Sequence, residues 1–337
     1  MKKSHNLFMP RKKRGSTFTF IDLFAGIGGF HLALHDLGGK CVFINEFNDS
    51  ARKTYEYNFR KLDPALFSDK TKGPYFWKNI KEVTLTGSEN KRAVWEKKIG
   101  DVIPKFDILC AGFPCQPFSR IGQKRGFDDD RGTLFNDIER IILARQPKII
   151  FLENARNIIA HDGRKTFETI LKKLEDAGYY VNKERDDSWN ILWAKDFGLP
   201  TARPRFYLVA FRKDMGRLGE FKFPKPTTPK GMTLSKFFKN KKWPNKVGRT
   251  IRVGGRGSPV YPMPDGKWFI DRRSWDTYIV GSKKHILTLD EAKKMMGFPK
   301  SFHFPKDVTP SQAFKQLGHS VAINVIRSIG SEIVKFL

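Results

Sequence analysis

The 337-residue chain carries 63 Lys and Arg against 35 Asp and Glu, a formal net charge of +28. That excess exceeds what solubility needs and points to a polyanion partner, with nucleic acid ahead of an anionic membrane surface. An apolar fraction of 39% with 30 Phe supports a packed core, and no apolar stretch approaches the length of a membrane-spanning helix.

Residues 1–16 hold Lys2, Lys3, Arg11, Lys12, Lys13 and Arg14 with little to bury, so they read as a flexible basic arm without a signal-peptide core. From Phe18 to Arg212, strand-like runs at 18–24, 41–45, 106–111, 148–152 and 206–211 alternate with amphipathic stretches at 29–37, 49–58, 133–144 and 164–177. Such alternation predicts an α/β domain over 17–215, with a mostly parallel sheet wrapped by helices. Residues 216–287 lose periodicity and gain Lys, Arg, Gly, Pro and Trp, as expected of a smaller, irregular or β-rich domain. Helical spacing resumes within 288–337, read as a return to the first domain. Cys41, Cys110 and Cys115 form no Cys-x-x-Cys pair and no Cys/His cluster, so neither disulfides nor a metal centre is expected, and a cytoplasmic protein fits.

Cys115 is the most informative position. Pro114 and Pro117 stiffen the loop around it, and the apolar run 106–111 delivers it to the carboxyl end of a strand, where open α/β sheets bind ligands. Upstream, Phe24, Gly26, Gly28 and Gly29 form a glycine turn between a strand and a helix, which lets backbone approach a ligand closely. No Gly-Lys-Ser/Thr follows, so it is not a phosphate-binding P-loop. Glu46 ends the second strand about 20 residues on, the spacing at which a carboxylate accepts hydrogen bonds from ribose. Glu153 ends the fourth strand as a candidate acid, and Arg203 and Arg205 flank Pro204 just before the strand at 206–211.

In this order the segments resemble the DNA (cytosine-5) methyltransferases, above all the modification enzymes of bacterial restriction–modification systems. The resemblance covers nearly the whole chain beyond the basic arm. It runs through the glycine turn, Glu46, Pro114-Cys115-Gln116, the block from Arg131 to Phe135, Glu153-Asn154, Arg203 with Arg205, and Gln312 to Val321. It implies a Rossmann-like domain that binds S-adenosylmethionine and a target-recognition domain at 216–287, bordered by the block 249–255. It also implies roles: Cys115, Glu153, Arg203 and Arg205 in catalysis; Phe24, Gly26, Gly28, Gly29, Glu46, Asn79, Ile80, Leu134, His319 and Ser320 at the cofactor. Gln116, Ser119, Arg131, Arg249, Arg252, Gly254, Gly255 and Arg256 would face DNA.

Three positions depart from the family pattern. Asn79 stands where an adenine-contacting Asp is usual, Thr201 replaces a Gln, and His319 replaces the Asn of the final block. The implied chemistry is attack of a Cys115 thiolate on carbon 6 of a flipped cytosine, methylation at carbon 5, and loss of the carbon 5 proton to an unidentified base. The implied partner is double-stranded DNA, methylated by a monomer and protected from a genetically linked restriction endonuclease. Two alternatives remain open on the residues: a tRNA cytosine-5 methyltransferase, suggested by the run from Cys115 to Gly122, and a non-catalytic DNA-binding relative.

Overall fold

The computed structural model describes residues 17–68, 75–113, 134–183, 187–216, 219–253, 260–264, 268–270 and 274–337. At its centre is an eight-stranded sheet. Strands β1 (Phe18–Leu23), β2 (Gly39–Asn45), β3 (Phe76–Trp77), β4 (Ile108–Gly112) and β5 (Ile149–Ala155) pair in parallel in the order β3-β2-β1-β4-β5. Beyond β5 the direction reverses. Strand β8 (Pro204–Arg212) lies antiparallel to β5, and β6 (Tyr179–Tyr180) and β7 (Trp189–Trp193) pair antiparallel with β8. The sheet is therefore mixed, with its parallel part confined to the first five strands.

Alternate residues of the central strands feed two cores, one on each face. Ile108, Cys110, Phe151, Tyr207 and Val209 point to one side; Leu109, Ala111, Ile150, Leu152 and Leu208 point to the other. Burial on both faces explains why these strands read as continuous apolar runs rather than alternating ones. Helices α1 (Gly29–His35) and α2 (Asp49–Phe59) cover the first face. Short α3 (Ala65–Ser68) and α4 (Lys81–Thr84) follow, and α5 (Arg92–Val102), α6 (Leu134–Arg145) and α7 (Lys165–Asp176) cover the second.

Segment 200–203 runs against 248–251. Gly248 N–H donates to the Pro200 carbonyl at 2.7 Å, Ala202 N–H to Gly248 at 2.8 Å, and the Thr201 hydroxyl to Arg249 at 3.0 Å. A Cβ on Gly248 would stand 2.6 Å from the Pro200 oxygen, so only glycine permits this approach. This part of the chain also contains α8 (Leu234–Phe238), the hairpin of β9 (Val260–Pro262) and β10 (Trp268–Ile270), and the hairpin of β11 (Thr277–Val280) and β12 (Lys283–Ile286).

Three helices follow: α9 (Leu289–Met295), α10 (Pro310–His319) and α11 (Ile323–Ile333). Thr288 with Glu291 and Thr309 with Gln312 form capping boxes that start α9 and α10. Helix α11 lies on α1 so closely that a Cβ on Gly330 would stand 2.8 Å from Leu37, and Arg327 pairs with Asp36 at 2.5 Å. No helix among the described residues is long and apolar enough to cross a membrane.

Candidate active site

The glycine turn leaves β1 with Phe24 and Gly26 at φ of 55° and 57°, and Gly28 caps α1 at φ 84°. The left-handed backbone at Gly28 is one reason for glycine there; the other is space, since a Cβ would meet Phe59 at 2.4 Å. A Cβ on Gly29 would meet the Val321 side chain at 2.5 Å, so the turn and the residues after α10 are packed backbone to side chain. Between them is a pocket lined by Phe24, Gly26, Gly29, Gly112, His319 and Ser320.

Glu46 holds the turn from below. Its two carboxylate oxygens accept the Gly26 N–H at 2.8 Å and the Asn48 N–H at 2.7 Å. Burial pushes the Glu46 carboxyl above its usual range, against the pull of those two donors. A carboxylate offers about four acceptor sites, so capacity remains for a ribose hydroxyl. A glycine cradle, an aromatic ring and a buried carboxylate at the turn fit an adenosine-bearing cofactor such as S-adenosylmethionine. Behind the turn, Asp22 is fully buried and its carboxyl is driven well above the usual range by that burial; nothing in the sequence singled it out.

The other expected cofactor residues take distinct positions. The Asn79 side-chain oxygen accepts the Lys81 N–H at 3.1 Å and so starts α4. Ile80 is buried in the second core, and Leu134 opens α6 packed against that core. Ser320 is buried beside the pocket, whereas His319 reaches its mouth with its pKa lowered by desolvation, then by Arg203 and Lys315.

Glu153 and Arg205 meet at the carboxyl edge of the sheet. Arg205 Nε lies 3.2 Å from Glu153 Oε1, and Glu153 is only 7% exposed. Burial raises the Glu153 carboxyl above its usual range, while the charges of Arg205 and Arg203 pull it down. A Cβ on Gly112 would stand 3.5 Å from Glu153 Oε2, so this carboxyl sits directly behind the pocket wall. Asn154 adds a second link: its side-chain nitrogen donates to the Phe113 carbonyl at 2.8 Å, fixing the chain immediately before Pro114. Cys115, Gln116, Ser119 and Arg131, with Gly254, Gly255 and Arg256, lie outside the described residues.

Arg203 does something different from Arg205. It is 1% exposed, and its terminal nitrogens donate to the carbonyls of Ile251 at 3.2 Å, Gly318 at 2.9 Å and Ser320 at 2.5 Å. A guanidinium committed to three backbone acceptors holds the end of α10 in place. Its charge still acts on Glu153, so it links the pocket wall to the acidic end of β5. Arg249 is likewise engaged, its side chain donating to the Ser274 carbonyl and its N–H to the Tyr278 hydroxyl, while Arg252 is exposed. Tyr207 stands opposite Glu153 in the β5–β8 register, its buried hydroxyl without a hydrogen-bond partner among the described residues; no motif singled it out.

Comparison with known proteins agrees with this geometry. Residues 18–255 and 248–335 match the model of the C-5 cytosine-specific DNA methylases. The type II methyltransferase M.HpaII of Haemophilus parainfluenzae is 37% identical over 99% of this chain and 94% of its own length. The type II methyltransferase M.HhaI of Haemophilus parahaemolyticus is 33% identical over 96% of each chain. Among solved structures, a putative DNA modification methyltransferase from an Escherichia coli prophage superposes with a TM-score of 0.64 at 18% identity, covering 95% of this chain and 99% of its own. The Schizosaccharomyces pombe Dnmt2 methyltransferase superposes with a TM-score of 0.61 at 19% identity over 94% and 98%. At those identities the superpositions speak for the fold alone. The sequence matches go further: the chain belongs to the C-5 cytosine-specific DNA methylase family.

Proposed function

We propose that Cys115, Glu153 and Arg205, supported by Arg203, carry out the family's reaction in this chain, which is a DNA cytosine-5 methyltransferase using S-adenosylmethionine. The cytosine must leave the stacked duplex to reach any of these groups. Carbon 5 of cytosine is too weak a nucleophile to be methylated unaided. Addition of the Cys115 thiolate to carbon 6 converts carbon 5 into an enamine carbon, dividing one hard step into easier ones. As charge moves into the ring, Glu153 protonates or hydrogen-bonds nitrogen 3, a task for which a carboxyl raised by burial is suited. Arg205 holds Glu153 and stabilises the oxygen side of the ring. S-adenosylmethionine, when bound, supplies the methyl group. Loss of the carbon 5 proton then restores the double bond and releases Cys115.

Glu46, Phe24, Gly26, Gly28 and Gly29 hold the cofactor in this reading, with Asn79, Ile80, Leu134, His319 and Ser320 around it. Arg203 orients the pocket wall through Gly318 and Ser320. Residues 17–215 form the catalytic domain, 216–287 read the target, and 288–337 return to the catalytic domain. Gln116, Ser119, Arg131, Arg249, Arg252, Gly254, Gly255 and Arg256 face the DNA. The net charge of +28 suits phosphate contacts that fix the duplex without reading it. In this reading the protein acts in the cytoplasm as a monomer, protecting host DNA from a restriction endonuclease encoded beside it.

The observation that carries this reading is the buried Glu153–Arg205 pair directly behind the cofactor pocket, one residue from the Asn154 bond that fixes the entrance to the Cys115 loop. Labelled S-adenosylmethionine offered with duplex DNA and with tRNA tests it. Label in DNA alone is expected; label in tRNA alone would replace the substrate assignment.

A further inference from the structure

A second cluster of chemistry-bearing side chains lies behind the glycine turn, away from Glu153 and Arg205. His31 and His35 are one turn apart on α1 and present their rings to the same side, with ring centroids 6.2 Å apart. Asp63, just past α2, is brought to them by that helix, and its N–H donates to the Phe59 carbonyl at 2.9 Å. One ring nitrogen from each histidine and one Asp63 oxygen all lie within 4.8 Å of one another. His31 Nε2 is 2.9 Å from Asp63 Oδ2. The spacing of Cys and His along the chain gives no sign of this group, because its third member comes from 28 residues beyond His35.

We propose that His31, His35 and Asp63 form a binding site for a divalent transition-metal ion of borderline softness, Zn²⁺ above all. Two imidazoles and one carboxylate are the donors such ions prefer, whereas Mg²⁺ and Ca²⁺ take oxygen-rich sets. Ligands about 2.1 Å from a tetrahedral ion stand about 3.4 Å apart, so the observed group closes with shifts on the order of 1 Å. His35 and Asp63 are only partly buried and have room to make them.

Two further observations point to a ligand. The His35 Nδ1 atom is buried and has no hydrogen-bond partner among the described residues, a cost that an ion bound through this nitrogen would remove. His31 also has the support of a metal-binding histidine. Its Nδ1 lies 2.6 Å from the Tyr55 hydroxyl, and its ring stacks on Phe59 at 4.2 Å. With Nε2 on the metal, the neutral imidazole carries its proton on Nδ1 and donates it to the Tyr55 oxygen. No net proton change is needed at His31. Phe59 is the ring that excludes any side chain from Gly28, so an ion here would tie α1 and the end of α2 together beneath the cofactor turn.

The test uses the full-length protein stripped with EDTA and dialysed, titrated with ZnCl₂ by calorimetry. Saturation at one ion per chain is expected, with a melting temperature raised by about 3 °C in excess metal. His35→Ala and Asp63→Asn, which leave the buried His31 in place, should each weaken binding at least about 10-fold. Co²⁺ should give visible absorption in the wild type that both variants lose. Absence of heat and of a thermal shift would overturn the proposal. So would binding unchanged in both variants, which would place the ion elsewhere, for example on the Cys115 thiol.

Discussion

The Asn154 side chain donates to the Phe113 carbonyl across 2.8 Å, joining the end of β5 to the residue that precedes Pro114. Glu153 and Asn154 are neighbours on one strand, so a single element positions the Glu153 carboxyl and holds Phe113, the residue before Pro114. The Asn154 oxygen is also used, accepting the Ala155 N–H at 2.8 Å.

Asn154→Ala removes that anchor and leaves a buried carbonyl unpaired, at a cost on the order of 1–3 kcal/mol. We expect kcat for methyl transfer to fall at least about 10-fold with KM for S-adenosylmethionine nearly unchanged, because the cofactor turn is untouched. Steady-state kinetics on duplex DNA check this. A rise in KM at constant kcat would mean that the bond serves the cofactor pocket instead.

His319 gives the pocket a pH dependence that the family's usual Asn would not. Desolvation, Arg203 and Lys315 all lower its pKa from the ordinary 6.5. A folded-state pKa below the unfolded one means that the unfolded chain binds more protons, so the stability at issue is present above pH 6.5 and is lost as pH falls below it. Protonated His319 would also repel the cofactor's sulfonium charge. Calorimetry at about pH 5.5 and about pH 7.5 should show cofactor affinity falling on acidification in the wild type and much less in His319→Asn. Equal pH dependence in the two proteins would remove His319 from the cofactor's surroundings.

Asn79 already spends one lone pair of its oxygen on the Lys81 N–H. The second is available to an adenine amine. Asn79→Asp adds charge assistance to both bonds and should bind S-adenosylmethionine at least as tightly as wild type. Asn79→Leu should lose on the order of 1–3 kcal/mol of cofactor binding. Wild-type affinity in Asn79→Leu would put the adenine contact on another residue.

The long strands of the mixed sheet were legible because each is an apolar run buried on both faces, and β1, β2, β4, β5 and β8 fall where those runs lie. Strand β3, only Phe76–Trp77, is too short to announce itself. Helix α5 buries just Trp95 and Ile99 among charged residues, which blurs its period. Of the candidate site, the glycine turn, Glu46, Glu153 and Arg205 could be read from type and spacing. Arg203 could not be told from Arg205, since both sit on one side of Pro204 or the other; only the fold shows that one is consumed by Gly318 and Ser320 carbonyls. The same holds for His31, His35 and Asp63, which meet only because α2 folds back on α1.

In the proposed mechanism Cys115 forms a covalent bond to carbon 6 of a flipped cytosine. Duplex DNA carrying 5-fluorocytosine at the target tests it most directly, because the proton whose loss would release the enzyme is replaced by fluorine. With S-adenosylmethionine present, wild-type protein should form a protein–DNA adduct that survives denaturing electrophoresis, and Cys115→Ser should form none while still binding DNA. No adduct from the wild type, or an equal yield from Cys115→Ser, would rule out covalent attack by Cys115.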